Sequence, residues 1–363
     1  MKAASLQNSA RQRQAIDLGL GRLESLPKWL NLVPIVAQWI WLSIRYASVT
    51  LPSCANPSII SGGMVGEGKM EYFSSMGELA LGVTAKTTSV LLDANRSTDS
   101  VRAEMRRTAL GFPIILKPDR GWCGFGVRLV RNDSELESYL SEFPAGERLV
   151  VQEFLPWAGE AGIFYMREPS EKRGAVIGML LRHYPRVCGD GRSTIAQLIA
   201  RDPRLKRVGR GGLGTYCDQT LVPAKGEVVR LSIVSSTRVG GLYLDATEWV
   251  TDELRSAIDA IACDMTEFHA GRFDVKFDDW EELRHGRGFK IIEVNGAGSE
   301  AVHAWDPSHS LSQAYRIIFA KQRRLFALSA AMRRCGHRPI GLFKLARLHF
   351  QQQALIKRYP LSN

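Results

Sequence analysis

A lysine ending an apolar run, three glycines just after it, and two later strand-like runs of alternating charge are the residues best suited to chemistry. The first group is Phe112-Pro-Ile-Ile-Leu-Lys117-Pro-Asp-Arg-Gly121-Trp-Cys-Gly124-Phe-Gly126. A strand there would deliver the Lys117 ammonium, and the glycine loop can turn backbone N–H groups toward phosphate oxygens. No Gly-Lys-Ser/Thr follows the glycines, so this is not a P-loop. Strand-like rather than helical residues follow, so it is a poor dinucleotide fingerprint. Taken alone, the segment reads equally well as a glycine-rich hairpin.

The second group is Gly271-Arg272-Phe-Asp274-Val-Lys276, followed by Ile291-Ile-Glu293-Val-Asn295-Gly-Ala-Gly-Ser299-Glu300. Alternate residues of a strand share a face. If the two runs pair antiparallel, Asp274, Glu293 and Asn295 converge beside Arg272. A few hard oxygen ligands, completed by water and phosphates, are what Mg²⁺ takes. The plainer reading is an amphipathic hairpin with a solvated polar face. The flexible glycines after Asn295 count against it, because backbone there can approach a ligand. A third run, Gln152-Glu153-Phe154-Leu155-Pro156 through Glu160, ends a strand at a proline. Its backbone could line a purine-sized slot, with Glu160 in reach of a ribose diol; strand ends carry Glu in many other settings.

The elements that would position these groups are legible from periodicity. Strands are expected at 114–117, 127–130, 149–154, 162–166, 175–181, 227–234, 241–245, 272–277 and 289–294. Helices are expected from about 69, from 133, from 193 and over 251–268. Residues 1–25 read as polar and helix-prone, and 201–215, dense in Arg and Gly, as a mobile loop. There is no internal repeat or low-complexity segment. Strands and helices alternate without a βαβ rhythm, which points to α+β subdomains.

The chain of 363 residues is 45 % hydrophobic and 23 % charged, which excludes disordered, collagen-like and multi-span membrane classes. Six cysteines without a CxxC pair argue against a zinc site or a disulfide framework, and for a reducing, cytoplasmic compartment. The net charge of +11 lies wholly in residues 307–363, which hold 11 Lys and Arg and no acidic residue. Such a tail could meet an anionic membrane, an acidic partner or nucleic acid. Its apolar residues recur at helical spacing, and a helical hairpin packed on the body, basic side chains to water, is the preferred reading. The apolar stretch 29–44 is too short to span a bilayer and is broken by Asn31, Pro34 and Gln38. It reads first as a buried helix docking the N-terminal segment, and second as a membrane-surface element.

In this order, the three runs together resemble the ATP-grasp family, over roughly residues 60–318. The likeness is greatest to its carboxylate–amine ligases of the D-alanine–D-alanine ligase and cyanophycin synthetase types. Gly189-Asp190-Gly191-Arg192-Ser193-Thr194 looks like the latter. The resemblance implies an α+β ATP-grasp fold whose two subdomains sandwich ATP. A helical segment (1–60) would precede the 61–318 region, with a lid at about 110–150 and a metal-binding part at about 155–310. A basic helical tail (319–363) would follow. It implies that Lys69, Lys117 and the loop Gly121, Gly124 and Gly126 hold the phosphates. Gln152, Glu153, Phe154 and Leu155 would meet adenine, and Glu160 the ribose. Asp274, Glu293 and Asn295 would bind Mg²⁺ (or Mn²⁺), with Arg272 and Lys117 on the transferred phosphate.

The implied reaction joins a small carboxylate to an amine, the substrates expected being amino acids or peptides, through an acylphosphate, releasing ADP and phosphate. A thiol acceptor, a phosphotransferase and a non-catalytic ATP-binding protein tethered by its tail are the alternatives. Arg182, Arg186, Arg238 and Ser299 are substrate-side candidates; His183, His303 and His309 stand near as proton carriers or supporting residues. A homodimer is open, specific nucleic-acid binding is not expected, and surface attachment to a membrane remains open. The region before Lys69 and the run Gly298–Asp306 depart from D-alanine–D-alanine ligase, so its substrate does not carry over.

Overall fold

The computed structural model describes residues 19–208, 213 and 216–362. The expectation for residues 1–18, and that for 209–212 and 214–215 of the Arg/Gly-rich loop, lie outside the described residues. Two antiparallel sheets form the body. One has the order β1-β4-β2-β3, from Thr87–Leu91 (β1), Ile114–Pro118 (β2), Arg128–Val130 (β3) and Arg148–Glu153 (β4). The other has the order β11-β10-β5-β6-β9, from Gly159–Met166 (β5), Ala175–His183 (β6), Leu242–Asp245 (β9), Ala270–Phe277 (β10) and Phe289–Asn295 (β11). A small pair, Arg186–Cys188 (β7) and Val228–Arg230 (β8), stands apart. This is the α+β arrangement of two halves that the sequence implies. The first sheet begins earlier than the lid bounds of 110–150: β1 is its edge.

The helices that matter for the site are Lys28–Arg45 (α1), Lys69–Ser74 (α2), Thr98–Arg107 (α3), Asp133–Glu142 (α4), Ile195–Arg201 (α5), Asp252–Cys263 (α6), Leu311–Arg334 (α7) and Leu342–Ile356 (α8). Local sequence explains their starts. Asn132, Thr194, Thr251 and Ser310 each accept a backbone N–H at the start of α4, α5, α6 and α7. Helix α6 buries Leu254, Ile258 and Ile261 against the five-stranded sheet. It stops at Cys263, short of the predicted 268; Met265 and Phe268 still enter that core from the following turn. There Thr266 N–H bonds to Ser75 O at 2.8 Å, and Glu267 adopts φ 50°. Tertiary contacts thus ended a helix that periodicity alone would continue.

The tail is helical and packed on the body, but its two helices join different cores rather than each other as a hairpin. Phe326 of α7 is fully buried, with Trp39 edge-on at 4.9 Å and Tyr46 at 5.9 Å. Helix α8 crosses to the other half, where Leu355, Ile356 and Tyr359 complete the core of the four-stranded sheet. Phe326→Ala should therefore cost about 3–5 kcal/mol of stability in urea unfolding, the usual price of deleting a buried phenyl ring. A loss under 1 kcal/mol would mean the tail does not hold the body together.

Helix α1 departs from the buried reading. It packs through one side only, with Leu42 and Asn31 buried and Gln38 Nε2 bonded to Gln322 Oε1 at 3.0 Å. The opposite side, including Trp29, Val33, Val36, Ile40 and Ile44, is exposed. Among the described residues its one neighbouring long helix, α7, is too narrow to cover a helix apolar on nearly all sides.

Candidate active site

Strands β10 and β11 pair with Arg272 opposite Asn295 and Asp274 opposite Glu293, so the predicted polar face exists. The flanking Phe273, Val275, Ile291 and Val294 point into the core behind it, which fixes the register. Asp274 is fully buried. Its Oδ1 accepts from Arg182 Nη2 at 2.9 Å and from Arg272 Nε at 2.7 Å. Its Oδ2 accepts from Arg272 Nη2 at 2.9 Å and from Asn295 Nδ2 at 3.0 Å. Burial alone would raise this carboxyl, but the two guanidinium groups outweigh it and hold the pKa below the usual range. Arg182, from β6, also donates to Glu160 Oε1 at 3.2 Å. Ser235 Oγ donates to the same oxygen at 2.6 Å, and the Tyr184 hydroxyl to Oε2.

Lys117 enters from the other sheet. Its Nζ donates to Gln152 Oε1 at 2.9 Å and to the Ile292 carbonyl on β11 at 2.8 Å. Gln152 Nε2 also donates to Ile292 O, at 3.2 Å, so two polar side chains of one sheet reach the backbone of the other. Burial pushes the Lys117 pKa down to about 8; nearby Glu293 resists, and Lys69 adds to the fall. Lys69 opens α2 and pairs with Glu293 at 3.5 Å. Its ammonium also donates to Pro118 O at 3.0 Å and Asp119 O at 3.2 Å, at the root of the glycine loop. A Cβ on Gly121 would lie 2.8 Å from that ammonium, so a side chain there would push the Lys69 tip aside.

The loop 121–126 is held on both flanks. Arg238 donates to Cys123 O at 3.0 Å and Gly124 O at 3.2 Å, its guanidinium 4.2 Å over the Phe125 ring. From the C-terminal segment, Gln352 reaches Gly121 O at 3.2 Å, Tyr359 reaches Arg120 O at 2.8 Å and Ser362 reaches Gly124 O at 2.6 Å. The carbonyls are thereby turned outward to these donors. Gly124 and Gly126 take φ 74° and 72°, a region open to glycine at little cost.

The structure thus brings together Lys69, Lys117, Arg182, Arg272, Asp274, Glu293 and Asn295. Other expected roles need revision. Gln152 and Glu153 lie inside the ladder of β4, with Gln152 opposite Thr87 and Ile115. Free backbone for a planar base begins only at Phe154 and Leu155, and Lys276 Nζ already takes Leu155 O at 3.2 Å. Glu160 is buried with three donors on its two oxygens, which places it as an anchor for Arg182 rather than at a ribose. Arg238 gives Nε and Nη2 to the loop carbonyls and to Ser362 Oγ, which ties it to the loop. Arg186 lies on β7, beside the body. Burial lowers His183 and His303 each to about 4, so both are neutral at pH 7 and poor proton carriers there; His309 is paired with Asp245 at 3.0 Å.

Two groups escaped the sequence reading. Glu67, just before α2, is pushed up to about 7, mainly by burial, and its Oε2 lacks a hydrogen-bond partner. Lys321 of α7 reaches Ser299 Oγ at 3.4 Å and stands 5.8 Å over the Phe164 ring. Burial, then the Arg272 charge, lowers it to about 7. Neither carries a motif: only the fold of the tail onto the body brings Lys321 here.

For a cation, the donor set is two carboxylates and an amide oxygen on one face, which suits a hard divalent ion. Among the described residues no cluster of three His, Cys, Asp or Glu side chains is gathered for a metal. Water and phosphate oxygens would have to complete the shell, as Mg²⁺ generally requires. Asp274 would have to exchange one of its present N–H donors for the ion.

No family model matches the chain, and no curated protein does. Among solved structures it is similar to a bifunctional glutathione synthetase from Pasteurella multocida, at 17% identity and TM-score 0.37, over 70% of this chain and 36% of that one. It is also similar to a D-alanine–D-alanine ligase from Bacillus anthracis, at 14% identity and TM-score 0.42, over 76% of this chain and 70% of that one. The same ligase complexed with ATP aligns at 13% identity and TM-score 0.35, over 68% and 64% of the two chains. The chain therefore spans about a third of the length of the synthetase.

Proposed function

We propose that the chain is an ATP-dependent ligase of the ATP-grasp type, which activates a small carboxylate as an acylphosphate and passes the acyl group to an amine. One observation carries the reading. Lys117 of one sheet bonds to β11 of the other beside Glu293, under a glycine loop and opposite the Arg272–Asp274–Arg182 cluster. Cations from two sheets thus face one cleft, as phosphoryl transfer needs; that reaction depends on positioning and charge neutralisation more than on protein nucleophiles.

Lys117 and Lys69 would hold the triphosphate, with the loop at Gly121, Gly124 and Gly126 closing over it. Phe154 and Leu155 would border the base. Arg272 would stabilise the charge on the phosphoryl group in flight, and Arg182 would hold Asp274 and Arg272 in place. Asp274, Glu293 and Asn295 would hold Mg²⁺, which when bound neutralises phosphate charge. Once the acylphosphate has formed, the amine attacks its carbonyl carbon and phosphate leaves. The closed loop keeps water from competing. Glu67, whose Oε2 lacks a hydrogen-bond partner and whose pKa Lys69 influences, would receive an amine or its proton.

Lys321 and Ser299 would receive the carboxylate end of a substrate, since the ammonium is buried and faces a hydroxyl. Lys321→Met should raise KM for the carboxylate about tenfold or more, the loss of one charge-assisted hydrogen bond, with KM for ATP unchanged. Equal changes in both KM values would place Lys321 outside the substrate pocket.

The test of the reaction is a hydroxylamine trap. The protein is incubated with ATP, Mg²⁺, pooled amino acids and small carboxylic acids, and hydroxylamine. ADP together with a carboxylate-dependent hydroxamate is the expected result. AMP in place of ADP would overturn the acylphosphate route, and a phosphorylated acceptor without hydroxamate would favour a phosphotransferase.

A further inference from the structure

Helix α1 carries no charged residue between Lys28 and Arg45. Its packed side meets α7 through Gln38, Trp39 and Leu42. The opposite side presents Trp29, Val33, Val36, Ile40, Trp41 and Ile44 to solvent, with Trp29 68 % and Ile44 75 % exposed. At 100° per residue these positions form one continuous face, and none of them is polar. A contiguous exposed apolar face of this kind marks an interaction site.

The charge around that face selects its partner. Residues 25–66 and 307–363, the two segments that pack together here, contain no acidic residue. Arg45 stands 5.7 Å from the Trp41 ring. Arg333 Nη1 donates to Tyr46 O at 3.0 Å, which brings the basic C-terminal end of α7, with exposed Arg334 and Arg338, against the C-terminal end of α1. Helix α8 adds a second exposed face of mixed kind, Phe343 (92 % exposed) and Phe350 with Lys344 and Arg347. A second copy of this chain would bring like charges together around the apolar face, whereas an anionic bilayer offers both an apolar interior and opposite charge. No helix among the described residues is long and apolar enough to cross a membrane. An apolar face with tryptophans, flanked by Arg and Lys, lies in the plane of a bilayer interface instead.

We propose that α1, with the basic residues of α7 and α8, seats the protein on an anionic lipid surface. The face belongs to the N-terminal helix and the tail, and its binding does not depend on the reaction assigned to the cleft.

The experiment is flotation of the full-length protein with vesicles of phosphatidylcholine alone, or of phosphatidylcholine mixed with phosphatidylglycerol. Binding to the mixed vesicles is expected, at least tenfold stronger than to the neutral ones, and weaker as salt rises. The pair Val33→Glu and Ile40→Glu, at exposed positions, should reduce it at least tenfold while thermal unfolding stays unchanged. Replacing Arg45, Arg334 and Arg338 by Gln should reduce it about a hundredfold, at about fivefold per basic residue near the surface. Should the glutamate pair fail to fold, quenching of the wild-type tryptophans by brominated phosphatidylglycerol decides: quenching supports the proposal, and its absence refutes it. Failure to float with anionic vesicles overturns it. So does equal binding to neutral vesicles, and so does a dimer in sedimentation that the glutamate pair converts to monomer, which would assign the face to a second copy.

Discussion

Lys117→Met should lower ATP turnover at least about a thousandfold, the scale of losing a preorganised charge at a transition state, while the thermal midpoint stays nearly unchanged. The separation follows from burial. The pKa of Lys117 is lowered from 10.5 to about 8. A folded pKa below the unfolded one means that the fold disfavours the ammonium, by roughly 3 kcal/mol at neutral pH. Methionine removes that penalty. It also leaves Gln152 Oε1 without its donor, at about 1–3 kcal/mol, and takes from Ile292 O one of its two donors, Gln152 Nε2 remaining. The two effects oppose each other, so stability moves little and the loss of turnover reports on chemistry. The ammonium faces Glu293, Lys69, Asp274 and Glu160. In the free protein it persists below about pH 8, so kcat/KM for ATP should fall as pH rises through that value. Bound phosphates favour the ammonium, and kcat should hold to higher pH. Turnover unchanged in Lys117→Met would remove the phosphate site from this cleft.

The same lysine shows what a sequence makes legible. An apolar run ending in Lys, then glycines, fixes a strand and a loop from side-chain pattern alone, and both formed. Likewise, alternation put Arg272 and Asp274 on one face and Glu293 and Asn295 on another, and pairing joined the two. What pattern does not carry is which polar atoms become each other's partners. Glu160 could be read as a free carboxylate only because Ser235, Tyr184 and Arg182, 75, 24 and 22 positions away, were not known to converge on it. Arg238 is equally opaque: its match to the carbonyls of Cys123 and Gly124 depends on how the loop packs. Strand β1 and helix α3 were missed because Thr87–Leu91 is short and sits at a sheet edge, and α3 is mostly polar. Composition found the basic tail, but only the fold shows that it also ties down the glycine loop through Tyr359 and Ser362.

Asp274→Asn should cost both activity and fold, unlike Lys117→Met. The carboxylate is fully buried and is the shared partner of Arg182 and Arg272. An amide keeps the shape but removes the charge, and one of its two ends becomes a donor facing a guanidinium. Arg182 then keeps Glu160 as its carboxylate partner, while Arg272 loses the carboxylate to which its guanidinium is bonded. Removing one member of a buried ion network typically costs about 3–5 kcal/mol, so the urea midpoint should drop by a corresponding amount. Turnover should fall at least about a thousandfold, because Arg272 loses the group that aims it. The pH dependence has a definite sign. The folded pKa lies below the 3.8 of the free side chain, so the stabilisation is fully present above that value and is lost as pH falls through the folded one. The wild-type protein should therefore gain over Asp274→Asn as pH rises toward about 4, keep a constant advantage above it, and converge with the variant in stronger acid. Adding Arg182→Met to the variant removes one of the two cations that face the amide and should recover part of the stability, with no recovery of turnover. Recovery of both would mean that Asp274 serves the fold alone, and that the phosphate-facing arginine is held by something else.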